Sequence, residues 1–258
     1  MLVIRKEQMD SFRQSAKRKY EDEMLAHLAG FSPPLYKTLG EAPMREIIRL
    51  GMGRAEAYGF TLRGPVRLYL ELMLLFGSHF DTDPQYPWAG EILNDPDAGS
   101  QMQRADRLFG KTMDYQQKVG GPEGIYATDA LRNIQIFARQ PLDLSPNNFI
   151  QDMLREIEHI YPQKAAYVGR DTLEALIRKG IGGAKRQSFN TVRGAALVIV
   201  LMLAFGHGCA ADPLYPWIGN TLKEDPTTDP EAKLQRLEKK ALLWLEHVIA
   251  HIEKEAAA

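Results

Sequence analysis

The segment FGSHFDTDPQYPW at residues 76–88 returns as FGHGCAADPLYPW at residues 205–217, and the separation of 129 residues holds for far more than this motif. Between Pro33 and Leu93 and their counterparts Pro162 and Leu222, 21 of 61 positions are identical without a gap. Ile48 and Arg49 return as Ile177 and Arg178, Gly51 and Gly53 as Gly180 and Gly182, and Leu72, Met73 and Leu74 as Leu201, Met202 and Leu203. Self-similarity at one fixed offset marks a repeated structural unit, so any fold for one half must also suit the other.

Within each unit the apolar period is helical. Met44, Ile47, Ile48 and Met52 recur at three- and four-residue steps, as do Leu173, Leu176, Ile177 and Ile181. The glycines inside these helices lower helix propensity by about 1 kcal/mol each, which fits close approach of a crossing helix or, alternatively, a stop or kink. The next helix, over 64–77 and again over 193–206, is the most apolar of each unit and ends at Phe-Gly. There Gly77 and Gly206 suit a left-handed C-cap, and Pro87 and Pro216 suit the first turn of the helix that follows. Asp229-Pro230 opens a long final helix by the same logic. A long first helix over 5–29, a connector at GGPEGIY, a helix over 125–139 and a turn-rich stretch at 140–148 complete the layout. The expected fold is all-α, with two tandem, internally duplicated helical-bundle units packed together: residues 1–120, and residues 121–258 as a degenerate copy.

Bulk properties exclude several function classes. With 32 basic and 33 acidic residues, the chain has no overall field for nucleic acid or an anionic membrane. GAALVIVLMLAFG, at 194–206, falls short of the roughly 20 residues that span a bilayer. The N-terminus meets charge at Arg5, after four apolar residues, and lacks the apolar core of a secretory signal, which leads us to expect a cytoplasmic protein. The single Cys209 cannot form an intrachain disulfide and reads as a small buried apolar residue.

The motifs that carry chemistry elsewhere are incomplete here. His79, Asp81 and Asp83, or His207, Cys209 and Asp212, have suitable types for a metal, but the two sets do not match and neither has a recognised spacing. KGIGGAKRQ lacks the Gly-Lys-Ser/Thr ending of a phosphate loop, and no Gly-x-Ser-x-Gly elbow occurs. Glu21 and Glu23 read as solvated helix face. No catalytic residue, cofactor or metal site is assigned.

Protein binding remains. Tyr86, Trp88, Tyr215 and Trp217 are either aromatic anchors for a partner or lids over each unit's core. Arg67 and Glu71 become Ala196 and Val200 in the second unit, so that face packs on something: the first unit, or a different protein. Leu50, Glu56 and Ala57 become Lys179, Lys185 and Arg186, a basic patch on the second unit.

The opening MLVIRKEQMDSF and the stretch LRGPVRLYLELMLLFGSHFDTDPQYPWAGEILNDP resemble a poorly characterised group of bacterial helical proteins encoded among type VI secretion spike, PAAR and effector genes. The second half resembles them less, retaining only Asp212 of the FDTD element. The resemblance implies a cytoplasmic adaptor or chaperone whose partner is a secretion effector, a spike component or a co-chaperone. An immunity protein neutralising a cognate toxin is the alternative, and an enzyme of the same gene neighbourhood is a third class. The resemblance brings no catalytic residues with it.

Overall fold

Gly51 sets the spacing at the centre of the first half. A β-carbon there would lie 2.3 Å from Leu70 Cδ2 and 2.6 Å from Met73 Sδ, so α3 (Glu41–Ala57) and α4 (Arg63–Phe76) cross with bare backbone at their contact. Gly180 does the same for α10 (Arg170–Arg186) and α11 (Val192–Phe205), with Ile199 Cγ1 2.4 Å away. Close approach is therefore the role of one glycine in each pair, because Gly53 has no atom within 4 Å of its would-be β-carbon.

The computed structural model describes residues 6–95, 97, 99–223 and 229–256. All regular structure among these residues is helical. The first half comprises α1 (Lys6–Phe31), α2 (Pro33–Leu39), α3, α4, α5 (Pro87–Asn94) and α6 (Gln101–Tyr115). A wide helical turn over Gln116–Gly120 and a tight one over Pro122–Gly124 lead into α7 (Ile125–Arg139). There follow α8 (Phe149–Ile160), α9 (Pro162–Val168), α10, α11, α12 (Pro216–Leu222) and α13 (Pro230–Ala256). The starts of α2, α3, α4, α5 and α6 recur 129 residues later as those of α9, α10, α11, α12 and α13. Among the described residues no helix is long and apolar enough to cross a membrane.

Local chemistry sets the helix ends. Pro87 and Pro216 occupy first turns, and Asp229 Oδ2 accepts the Ala232 N–H at 3.1 Å. Ser100 and Gln103 form a reciprocal capping box at the start of α6. Two hydrophobic cores result. One gathers Leu28, Ile47, Leu72 and Leu108; the other gathers Ile157, Leu176, Leu201 and Leu237. Glu21 is not a solvated acid: it is buried on α1, where Arg49 donates to both its oxygens and Arg45 to one. The bonds from Arg49, foremost, hold its carboxyl below the usual range.

Candidate functional site

The repeated motif lies where the halves meet. Gly77 and Gly206 have φ of 91° and 87° with ψ near-extended at 152° and 156°, a backbone conformation open to glycine rather than the left-handed cap expected from sequence. The reason is steric: a β-carbon on Gly77 would sit 2.7 Å from Phe205 O, and one on Gly206 3.0 Å from Phe76 O. The two Phe-Gly turns thus lie back to back.

Each aspartate of the two DPxYPW motifs then serves both turns. Asp83 Oδ1 accepts the N–H of Gln85 in its own turn at 2.9 Å, while Oδ2 accepts the His207 N–H of the facing turn at 2.6 Å. Asp212 repeats this with Leu214 at 2.9 Å and Ser78 at 2.8 Å. Gln85 Nε2 also donates to Met202 O across the joint, and Leu214 inserts into the core of the first half.

The aromatic residues of the motif pack inward. Tyr86 and Trp88 lie 4.6 and 6.0 Å from Phe76, ring centre to ring centre, and Tyr215 and Trp217 lie 4.6 and 5.8 Å from Phe205. Tyr86 and Trp88 are buried, Tyr215 and Trp217 half-buried. Ala196 and Val200 are buried as well, within the second core. Val200 borders a seam between α11, α13 and α7, lined also by Ile134, Leu142 and Leu245, with only about 30 Å³ of free space. The cover over that apolar face is therefore the chain's own α7. The expectation that Tyr86, Trp88, Ala196 and Val200 present a docking surface is corrected, since buried side chains offer a partner nothing to touch.

Most polar groups at the joint bond to one another, while Asp81 Oδ1 and Gln85 Oε1 are buried without a hydrogen-bond partner among the described residues. Asp81 accepts the hydroxyls of Tyr69 at 2.9 Å and Tyr58 at 3.0 Å, and Arg54 donates to Ser78 O. His79 and His207 meet edge to face at 6.0 Å, and burial lowers the pKa of each ring. Burial pushes the Cys209 thiol up to about 12, which leaves it protonated and unreactive at neutral pH. Among the described residues no three His, Cys, Asp or Glu side chains gather as a metal site would need.

Sequence reasoning missed two features. Lys164, where the first half has Leu35, is buried at the joint: its Nζ donates to Leu203 O at 3.0 Å and lies 5.5 Å from the Tyr86 ring centre. Burial lowers its pKa to about 8 even though Asp83 pulls it up. It caps the carbonyl end of α11 and offsets the charge of Asp83. The second feature is an open apolar face on α6, where Met102, Phe109 and Met113 are 46%, 56% and 48% exposed. Their spacing places them along one side of the helix. The counterparts of Phe109 and Met113 on α13 are Glu238 and Leu242, and both line the seam that α7 fills. The first half thus leaves bare what the second half covers. Comparing the outward positions of the two helices at the 129-residue offset would have found it.

The chain matches no protein-family model, no curated protein and no solved structure.

Proposed function

We propose that this protein is a non-catalytic protein-binding module that receives an amphipathic helix on the outward face of α6. The observation that carries the reading is the exposure of Phe109 and Met113 at the positions where α13 is covered by α7. Within its own fold the chain supplies the model for the occupant. The inward side of α7 presents Ile134 and Phe137, three residues apart, to the second half. A partner helix with that pattern fits the helix-in-groove mode of recognition. The polar groups at the joint support the non-catalytic side of the reading, because Asp83 and Asp212 are occupied in hydrogen bonds that hold the halves together.

The finer assignment rests on the sequence resemblance. In it the module is a cytoplasmic adaptor or chaperone, and the partner is a type VI secretion effector, a spike component or a co-chaperone. The test is affinity purification of the tagged full chain from its native cells beside the variant Phe109→Glu, which changes an exposed side chain and leaves both cores intact. Recovery of an effector, spike component or co-chaperone with the native chain and its loss from the variant is the expected result. Equal recovery by both would overturn the assigned surface. A cognate toxin as the sole partner would replace the adaptor role with immunity.

A further inference from the structure

The same half that leaves α6 bare also holds out an unpacked apolar stripe. Met9, Phe12, Ala16, Tyr20, Met24 and Leu28 follow one face of α1 at three- and four-residue steps. Met24 and Leu28 are buried in the first core, whereas Met9 is 41% and Phe12 66% exposed. The counterparts of Lys6–Asp10 are residues 135–139, the last turn of α7. In the second half the irregular stretch 140–148 separates α7 from α8 and lets α7 fold back over α11 and α13. In the first half the corresponding chain is unbroken helix.

That helix cannot fold back on its own α6. At 1.5 Å per residue α1 is about 39 Å long. Its C-terminal part is fixed to α3 by Glu21 with Arg45 and Arg49, and to α4 by His27 with Glu71 at 2.7 Å and by the Tyr20 hydroxyl donating to Arg63 O at 2.7 Å. An arm and a seat built to the same pattern, but out of reach of each other in one molecule, are the geometry of exchange between two copies.

We propose that a second copy of this chain fills the seat: the N-terminal arm of α1 from each molecule lies on the α6 face of the other, with Phe12 against Phe109, in a reciprocal dimer. This rests on reading α6 as a helix-binding face, and it makes the partner helix a competitor of the arm. Arg63, which holds Tyr20, follows Leu62, exposed, and the Leu62 N–H donates to Gln101 Oε1 at 2.9 Å beside Met102. Exposed Asp106, between Met102 and Phe109, offers an anion to the exposed Lys17, Arg18 and Lys19 of the arm, with exposed Arg107 and Lys111 of α6 opposing it. Met9, Phe12, Met102, Phe109 and Met113 are 41–66% exposed, so with side chains of ~150–250 Å² two seats bury roughly 1,000 Å², the low end of specific interfaces.

Sedimentation velocity on the full chain tests this, with Phe12→Glu and Phe109→Glu as the disrupting variants. The native chain is expected at twice its 29.1 kDa, and each variant at the monomer mass with an unchanged helical spectrum. In a mixture of Phe12→Cys and Phe109→Cys chains, oxidation is expected to give a disulfide between copies, since native Cys209 is buried. A monomeric native chain, or a dimer that survives both glutamate variants, overturns the exchange. A labelled peptide of residues 125–139, added to the Phe12→Glu chain, separates the two claims. If the native chain is monomeric and the peptide binds in a Phe109-dependent way, the exchange is wrong and the helix-binding face stands. If the peptide fails as well, both fall.

Discussion

Asp83 Oδ2 accepts the His207 N–H at 2.6 Å, and its counterpart Asp212 accepts the Ser78 N–H at 2.8 Å, so each half is closed by a carboxylate belonging to the other. The DPxYPW element is thus the joint of the molecule. Its prolines and aromatics complete their own half, and its aspartate reaches across.

The two aspartates accept matching backbone bonds but differ in their surroundings: Asp83 also accepts a bond from Gln85 Nε2 at 3.2 Å, and Lys164 stands near it where the counterpart is Leu35. Asp212→Ala removes charge-assisted hydrogen bonds of ~1.5–3 kcal/mol each. Asp83→Ala removes the matching bonds, the further one from Gln85 Nε2, and the anion that offsets a buried ammonium, so it should cost more. Chemical denaturation of both variants measures the difference. Equal costs would mean that Lys164 does not depend on Asp83.

Lys164 should impose an alkaline gain in stability. Its folded pKa of about 8 lies below the 10.5 of an ordinary lysine, so between those values the unfolded chain holds more proton than the folded one. Stability from this group therefore rises with pH across that window and is withheld below it, by about 3 kcal/mol in full. Lys164→Leu, which installs the residue of the other half, should flatten the rise. Parallel stability curves for the two proteins over that range would refute the assignment.

The helices were legible in the sequence because their apolar periods and their Pro and Asp starts are local. α7 was expected over 125–139 and is found at Ile125–Arg139. The repeat was legible too, and it located the joint without revealing it. No local pattern says whether Trp88 faces a partner or its own Phe76, nor that Asp83 spends one oxygen on the opposite turn. Ala196 and Val200 carried a true signal, apolar surface in need of cover, but both are buried in their own core, and the cover over Val200 is α7 of the same chain. Lys164 was invisible because a single lysine among apolar neighbours on a short helix reads as surface until the joint closes over it.

The joint should weaken in mild acid. Burial, above all, lowers the pKa of His79 and of His207, with Arg54 adding to the effect on His79 and Lys179 to that on His207; Asp212, Asp83 and Asp81 oppose it. As pH falls through about 6.5 the unfolded chain takes up these protons first, so stability drops. Replacing both rings by glutamine should reduce the loss seen between about pH 7.5 and 5.5. Urea midpoints at the two pH values decide it, and an equal drop in the doubly substituted protein would place the sensitivity elsewhere.

Three glycines of the repeat should respond differently to alanine. At Gly53 no atom lies within 4 Å of the new carbon, so Gly53→Ala should be stabilising, by up to about 1 kcal/mol of helix propensity. At Gly180 the carbon would meet Ile199 at Cγ1 and also its backbone Cα at 3.3 Å, and α10 and α11 would have to part, at a cost of ~1–3 kcal/mol. At Gly77 the carbon would meet the Phe205 carbonyl oxygen at 2.7 Å on a backbone with φ of 91°, so strain and collision add where the halves touch. Gly77→Ala should therefore be the most damaging of the three and should loosen the reciprocal bonds of Asp83 and Asp212 with it. Hydrogen exchange at the Ser78 and His207 amides reads that loosening directly: both should lose protection in Gly77→Ala and keep it in Gly53→Ala. Protection retained in all three variants would show that the two Phe-Gly turns do not need glycine to meet.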